Sequence, residues 1–484
     1  MIDPFSTATT LLQLLQQRRV SSVELLQFYL ERIKRYNTKI NAIVIPNEEQ
    51  AYQQATAADQ AYARDEKSGA LQGLPLTLKD CIEVAGMRTT AGDLDKEQYV
   101  STQTGPAAQR ILDAGAVLLG KTNVPPGLSD WQANNMLFGR SNNPWDQNRT
   151  PGGSTGGGAA AVAAGLTPLE FGTDIAGSIR VPAAFCGLYG HRPSETAVPR
   201  YGRKPGIPLP NPASVFGVQG PLARSAADLQ LALDVIAAPV IGEDVAWKLS
   251  LPAARQNRLA DFRVAILPFV DWLPVDEHIV TALAELEERL RQQGAMVRRV
   301  QPDGFNLREY TETYITMLSV FMYAEKEQEQ REHIIAQMRQ STDPFTAAKL
   351  AGIQATAGQF LALHTRREQY RALFRDFFQQ WDILLTPVTI VPAFKHQGIE
   401  TPPYLRTLPV NRETVPYEFL EIYPGVATLI GHPATAFPYG KTPHGLPIGL
   451  QAIGPYLEDR TAITFASLLE QAFGGFTAPP GFLD

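Results

Sequence analysis

Five glycines fall between Gly152 and Gly158, within RTPGGSTGGGAAAVAAG, and an alanine-rich run follows them. A stretch so bare of side chains suits close approach to another backbone or to a ligand, and the alanines then carry it into a helix. Any fold this chain adopts must therefore bring that loop against something else. Three chemistries use such a loop. A phosphate-cradling loop needs a Lys-Ser/Thr pair after the glycines, and none follows here. A dinucleotide fingerprint fits by letters, with Gly156, Gly158 and Ala161 matching G-x-G-x-x-A and Asp174 downstream. That motif requires a buried strand beforehand, whereas NPWDQNRTPGG is a polar turn sequence. The third is a serine site, because Ser154 lies in the loop and FGTDIAGSIRVPAAFCG later sets Ser178 behind Ala176 and Gly177. Small residues there leave successive N–H groups able to converge on an oxyanion.

Composition narrows the field further. With 484 residues, 44% hydrophobic and 19% charged, the chain has material for a large core and too little charge for whole-chain disorder. A formal charge of −6 gives no general attraction to phosphate backbones, so no nucleic-acid partner is expected. Cys81 and Cys186 form no disulfide framework and read as buried small hydrophobes. The seven histidines have no metal-binding spacing, so no metal is expected. No stretch approaches the ~18 uncharged apolar residues of a membrane span, and MIDPFSTATTLLQLLQQRRV has no signal-peptide pattern. The expectation is a cytoplasmic protein without membrane contact.

Along the chain, Ser21 and Glu24 form a capping box ahead of Leu26, Leu30 and Ile33. A second helix is expected from near Asn47 to Gly69, making residues 1–70 an N-terminal helical hairpin. Residues 71–230 carry short apolar runs such as PLTL and AVLLG, cut by Gly, Pro and Asn, which read as buried strands alternating with helices. FRVAILP, DILLTPV and LPIGLQAIG read as further strands, Met296 to Val300 as an edge strand, and residues 305–380 as mainly helical. In the last of these, Tyr370, Phe374, Phe377 and Phe378 are expected in the core. Arg366, Arg367, Arg371 and Arg375 are expected on its rim. No linker separates independent domains, so the fold expected is α/β: one large domain with a central mixed sheet covered on both faces by helices.

A serine hydroxyl needs a base. His191, in a GHRP turn, reads as structural. Lys79 closes the apolar run GLPLTLK, where burial would favour its neutral form; the structural alternative is a rim lysine paired with Asp80.

The runs GLPLTLKD, NPWDQNRTPGGSTGGGAAAVAAG, GTDIAGSIRVPAAFCGLYGHRPS and GVQGPLARSAADL closely resemble the amidase signature family of serine hydrolases. Matches at NVPPGLSDWQANNMLFGRSNNPW, DILLTP and GLPIGLQAIG extend the resemblance from about residue 10 to 475. The resemblance implies a Ser-Ser-Lys triad with Ser178 as nucleophile, Ser154 as bridge and Lys79 as base, and a cis Gly153–Ser154 peptide. It further implies oxyanion donors from the N–H groups of Ile175, Ala176, Gly177 and Ser178, and support from Asp174 and Arg180. Ala176 stands where the family commonly has glycine, and Thr155 follows Ser154 where the family pairs two serines. The structural alternatives are Ser178 as a helix N-cap and Ser154 as a turn residue.

By the same resemblance no cofactor is needed, and Trp131, Asn135, Met136, Tyr314, Leu318, Phe321 and Met322 are the expected acyl-pocket lining. That stripe also suits an ordinary helical core. The expected activity is hydrolysis of a small carboxylic amide or anilide to carboxylate and amine or ammonia, with ester or carbamate cleavage allowed by the same chemistry, in a monomer or homodimer. The alternatives are the glutaminase component of a tRNA-dependent amidotransferase and a non-catalytic amide-binding module. Against the first, PLPNPASVFGVQGP differs from that component's FASSLDQIGP-like segment.

Overall fold

The computed structural model describes residues 2–66, 69–206 and 215–483. Its apolar runs become an eleven-stranded sheet: β1 (Ile43–Pro46), β2 (Pro75–Lys79), β3 (Val117–Thr122), β4 (Leu169–Asp174), β5 (Tyr189–Arg192), β6 (Val218–Ala223), β7 (Arg263–Ile266), β8 (Met296–Arg299), β9 (Ile383–Pro387), β10 (Ala434–Lys441) and β11 (Pro447–Ile453). The order across the sheet is β1-β3-β2-β4-β6-β5-β10-β11-β9-β7-β8. β2 runs parallel to β3 and β4, and β9 parallel to β7, while β4 with β6 and β10 with β11 are antiparallel. The sheet is therefore mixed. Every residue of β2, β3, β4, β6 and β11 is buried, which requires cover on both faces, and the flanking helices provide it. At the far edge, β8 buries only Val297.

Ser21 caps the helix Ser22–Ile40 through the reciprocal bonds with Glu24 that its spacing predicts. The N-terminal region is nevertheless not a plain helical hairpin. It holds three helices, Ala8–Gln16, Ser22–Ile40 and Glu48–Ala63, and β1 lies between the last two and pairs antiparallel with β3, so this region supplies the edge of the sheet. The helix Glu48–Ala63, expected to reach Gly69, stops short of it, because Asp65 already takes the left-handed conformation that ends a helix.

Tyr370, Phe374, Phe377 and Phe378 are buried as the helical spacing predicts. Arg367 departs from the expected rim: it is buried, its Nε donates to the Leu429 carbonyl at 2.6 Å, and its Nη2 pairs with Glu195. A neighbouring helix covers that face, and sequence periodicity does not reveal it. His191 belongs to β5 rather than a turn. Its ring joins Thr435 Oγ1 and Asp459 Oδ1, and Asp459 also accepts from Ser194 Oγ, so the imidazole is held in the core.

Lys79, Thr122 and Asp174 end three neighbouring strands, β2, β3 and β4. Those strands are parallel, and their C-terminal ends form the kind of edge at which α/β sheets expose functional groups.

Candidate active site

The glycine-rich loop enters the helix Gly156–Ala163, and Thr155 N–H donates to the Ser178 carbonyl at 3.1 Å, which joins the two serine segments. The Gly153–Ser154 peptide is cis. Lys79 is fully buried, and its Nζ lies 2.7 Å from Ser154 Oγ and 2.9 Å from Thr173 Oγ1. Asp80 does not pair with it; that carboxylate accepts from the Thr90 backbone and hydroxyl instead. Burial pushes Lys79 down to about 8, against an opposing pull from Asp174 and Glu170. Near neutral pH the amine can therefore take up and release a proton. Ser154 and Ser178 are 1% and 6% exposed. Ser178 caps no helix through its side chain, since Arg180–Cys186 begins after Ile179 without a side-chain cap.

Asp174 organises the turn before Ser178. Arg180 meets it with two bonds, Nη2 to Oδ1 at 2.9 Å and Nε to Oδ2 at 3.0 Å, and both side chains are wholly buried. Burial alone would raise this carboxyl, but the Arg180 guanidinium, with Arg192 behind it, holds it well below the usual carboxylate range. Asp174 Oδ1 also accepts the Gly177 N–H at 3.0 Å, and Oδ2 the Ile179 N–H at 3.1 Å. This corrects one expectation: the Gly177 N–H already has a carboxylate partner and is not free to meet an oxyanion. The N–H groups of Ile175, Ala176 and Ser178 carry no such bond among the described residues. The left-handed residue is Gly177, at φ 94°, where a Cβ would stand 2.8 Å from Pro424. Ala176 has no positive φ, so its methyl group is accommodated.

Trp131 and Tyr314 line this turn. Trp131 Nε1 donates to the Ala176 carbonyl at 3.1 Å, and the Tyr314 hydroxyl to the Ile175 carbonyl at 3.4 Å. Phe216 packs on both Tyr314 and Phe321; on the helix that carries those two, Leu318 is buried and Met322 half-buried. Two of the expected lining residues are held differently from this aromatic group. The Asn135 side chain is engaged with Asn123, Val124, Leu137 and Phe138 within its own loop. Met136 is 70% exposed.

Sequence reasoning missed Thr173, although it adjoins Asp174 in the signature run. It also missed a clamp in which Asp130 accepts from Arg406 and the Tyr417 hydroxyl, each at 2.6 Å, while the Tyr417 ring packs edge-on against Trp131. No local pattern links residues so far apart. Of PLPNPASVFGVQGP, residues 208–214 lie outside the described residues. Among the described residues no group of His, Cys, Asp and Glu could hold a metal ion, and no helix is long and apolar enough to cross a membrane.

The family model Amidase matches residues 24–463. The chain belongs to the amidase signature family. With that membership goes action on amide C–N bonds. The A component of the glutamyl-tRNA(Gln) amidotransferase of Chromohalobacter salexigens is 30% identical over 509 residues, covering 98% of both chains. The crystal structure of the same component from Thermotoga maritima superposes with a TM-score of 0.78 at 25% identity, over 99% of this chain and 98% of the other. A bacterial aryl acylamidase of the amidase signature family shares the fold, with a TM-score of 0.81 at 23% identity over 97% and 96% of the two chains.

Proposed function

We propose that this amidase hydrolyses a carboxylic amide through an acyl-enzyme on Ser178. The observation that carries the reading is the fully buried Lys79 Nζ, 2.7 Å from Ser154 Oγ. Neutral Lys79 takes a proton through Ser154 as Ser178 Oγ attacks the carbonyl carbon. The N–H groups of Ile175, Ala176 and Ser178 stabilise the resulting oxyanion. The relay then returns the proton to the nitrogen of the departing amine. Water enters with the same groups acting in reverse and releases the carboxylate.

Two substrate readings follow. Aromatic cover from Trp131, Tyr314 and Phe216 supports a stand-alone amidase for small carboxamides or anilides. Full-length similarity to the A components of glutamyl-tRNA(Gln) amidotransferases favours glutamine as the amide, with a partner protein receiving the ammonia. The deciding experiment measures product release by mass spectrometry from aliphatic amides, anilides, glutamine, esters and carbamates, with Ser178→Ala alongside and gel filtration of the pure chain. Amine release from several small amides by the isolated chain supports the first reading. Cleavage confined to glutamine, enhanced by a partner, supports the second. If wild type cleaves nothing and a fluorophosphonate serine probe fails to label Ser178, the acyl-enzyme reading is wrong and a non-catalytic amide-binding module takes its place.

A further inference from the structure

Behind Lys79 stands a carboxyl group that the hydrolysis above does not use. Thr77 lies opposite Glu170 in the β2–β4 pairing, and Lys79 opposite Thr122 in the β2–β3 pairing. Side chains two apart on a strand share a face, so Lys79, Thr77, Thr122 and Glu170 face the same side of the sheet. Glu170 is wholly buried, and Thr122 Oγ1 donates to its Oε1 at 2.7 Å. Its Oε2 and the Thr77 hydroxyl complete no hydrogen bond of ordinary length among the described residues, but that hydroxyl lies near enough to favour the carboxylate form. The helix Gly156–Ala163 closes over the group so tightly that a Cβ at Gly158 would stand 2.4 Å from Glu170 Oε1.

Arg203, whose Nε donates to the Arg200 carbonyl, also acts on Lys79 and disfavours its ammonium, while the other charges nearby are committed elsewhere. On β4 itself Asp174 is paired with Arg180 and Arg192. Lys121 of β3 lies opposite Leu78, on the other face, and donates to the Arg88 carbonyl and Thr89. Asp80, beyond β2, is bound to Thr90. Burial pushes the Cys81 thiol up, so it stays neutral. The helix Gly156–Ala163 and β6 carry no titratable side chain. Among the described residues Lys79 is left as the charged group acting on Glu170, and a buried carboxylate without a cation is strongly disfavoured.

We propose that Glu170 is a positioning residue for the base: its charge couples to that of Lys79 across this sheet face, so that neutral Lys79 with protonated Glu170 is in balance with ammonium and carboxylate. This rests on Lys79 acting as the base. Among the described residues no hydrogen bond or ion pair joins the two directly, so each exchanges its proton with water: one Glu170 O–H bond breaks as one Lys79 N–H bond forms, and no other bond changes. Burial brings the two groups into the same range, Lys79 down to about 8 and Glu170 up to about 7, where such pairs titrate as a unit. The carboxylate form holds Lys79 protonated to higher pH than the amine would reach alone.

The test is the pH dependence of Ser178 labelling by a fluorophosphonate probe in the full chain, for wild type, Glu170→Gln and Lys79→Met, with Ser178→Ala as blank. Glu170→Gln removes the negative charge, so the acid limb is expected to move to lower pH by about half a unit or more. A carboxyl group that only packs the sheet would leave the limb in place. If Lys79→Met keeps the wild-type profile, the base assignment fails and this inference fails with it. If Lys79→Met is inert while Glu170→Gln keeps the wild-type limb, the coupling alone is overturned. Should Glu170→Gln not fold, Thr122→Val removes a donor to Glu170, disfavours its carboxylate and is expected to shift the limb the same way; an unmoved limb there overturns the proposal.

Discussion

Asp174 shows how much one side chain can fix. It holds two guanidinium groups and three backbone N–H groups, so the turn that presents Ser178 is set by a carboxylate wholly enclosed in protein. Arg180→Met leaves that carboxylate without its main partner, and an unpaired buried charge costs about 3–5 kcal/mol. The expected outcome is a lower Tm by calorimetry together with slower labelling of Ser178. Lys79 carries a pH prediction. Its folded-state pKa is lowered from 10.5 to about 8, so it holds a proton below that range and cannot act as base. Turnover should rise as pH climbs through about 8 and then level off. The same depression means that the unfolded chain binds more protons between about 8 and 10.5, so this group's burden on folding is full below about 8 and fades as pH approaches 10.5. Lys79→Met removes that burden, and its stability relative to wild type in urea melts should be greater at pH 7 than at pH 10.

At the scale of elements, caps tie distant segments together. The helix Ala8–Gln16 starts under Asp228, whose carboxylate accepts from the N–H groups of Ala8 at 2.9 Å and Thr9 at 2.8 Å. Asp228 is itself buried in another helix, Ala226–Ile236. Asp228→Ala is expected to cost about 1–2 kcal/mol and to speed hydrogen exchange in residues 8–16 before the rest of the chain. If exchange rises uniformly instead, the cap is not local. Ser21→Ala, by contrast, breaks a cap readable from sequence, because both of its partners lie within four residues; about 1 kcal/mol is expected from denaturant melts.

Across the whole molecule, Gln451 of β11 joins the late part of the chain to the catalytic turn. Its Oε1 accepts from Arg180 Nη1 at 2.9 Å, and its Nε2 donates to Thr386, Pro387 and Tyr423. Gln451→Leu removes these bonds, while Arg180 Nη1 keeps the Pro424 carbonyl and the Pro387 carbonyl keeps Thr386 Oγ1; a loss of about 1–3 kcal/mol in all is expected, with lower Tm and turnover, read by calorimetry and amide hydrolysis on the same preparation. The sequence alone determined the strands at PLTL, DILLTPV and LPIGLQAIG, the Ser21 cap and the family, because apolar runs, caps and motifs are properties of neighbouring residues. Tertiary structure decided which N–H groups remain free near Ser178, that Arg367 is buried, that Asn135 is engaged within its own loop, and that Glu170 lies on the same face as Lys79. Each of these depends on which strand or loop lies alongside, and the order β1-β3-β2-β4 is set by packing among segments far apart in the chain.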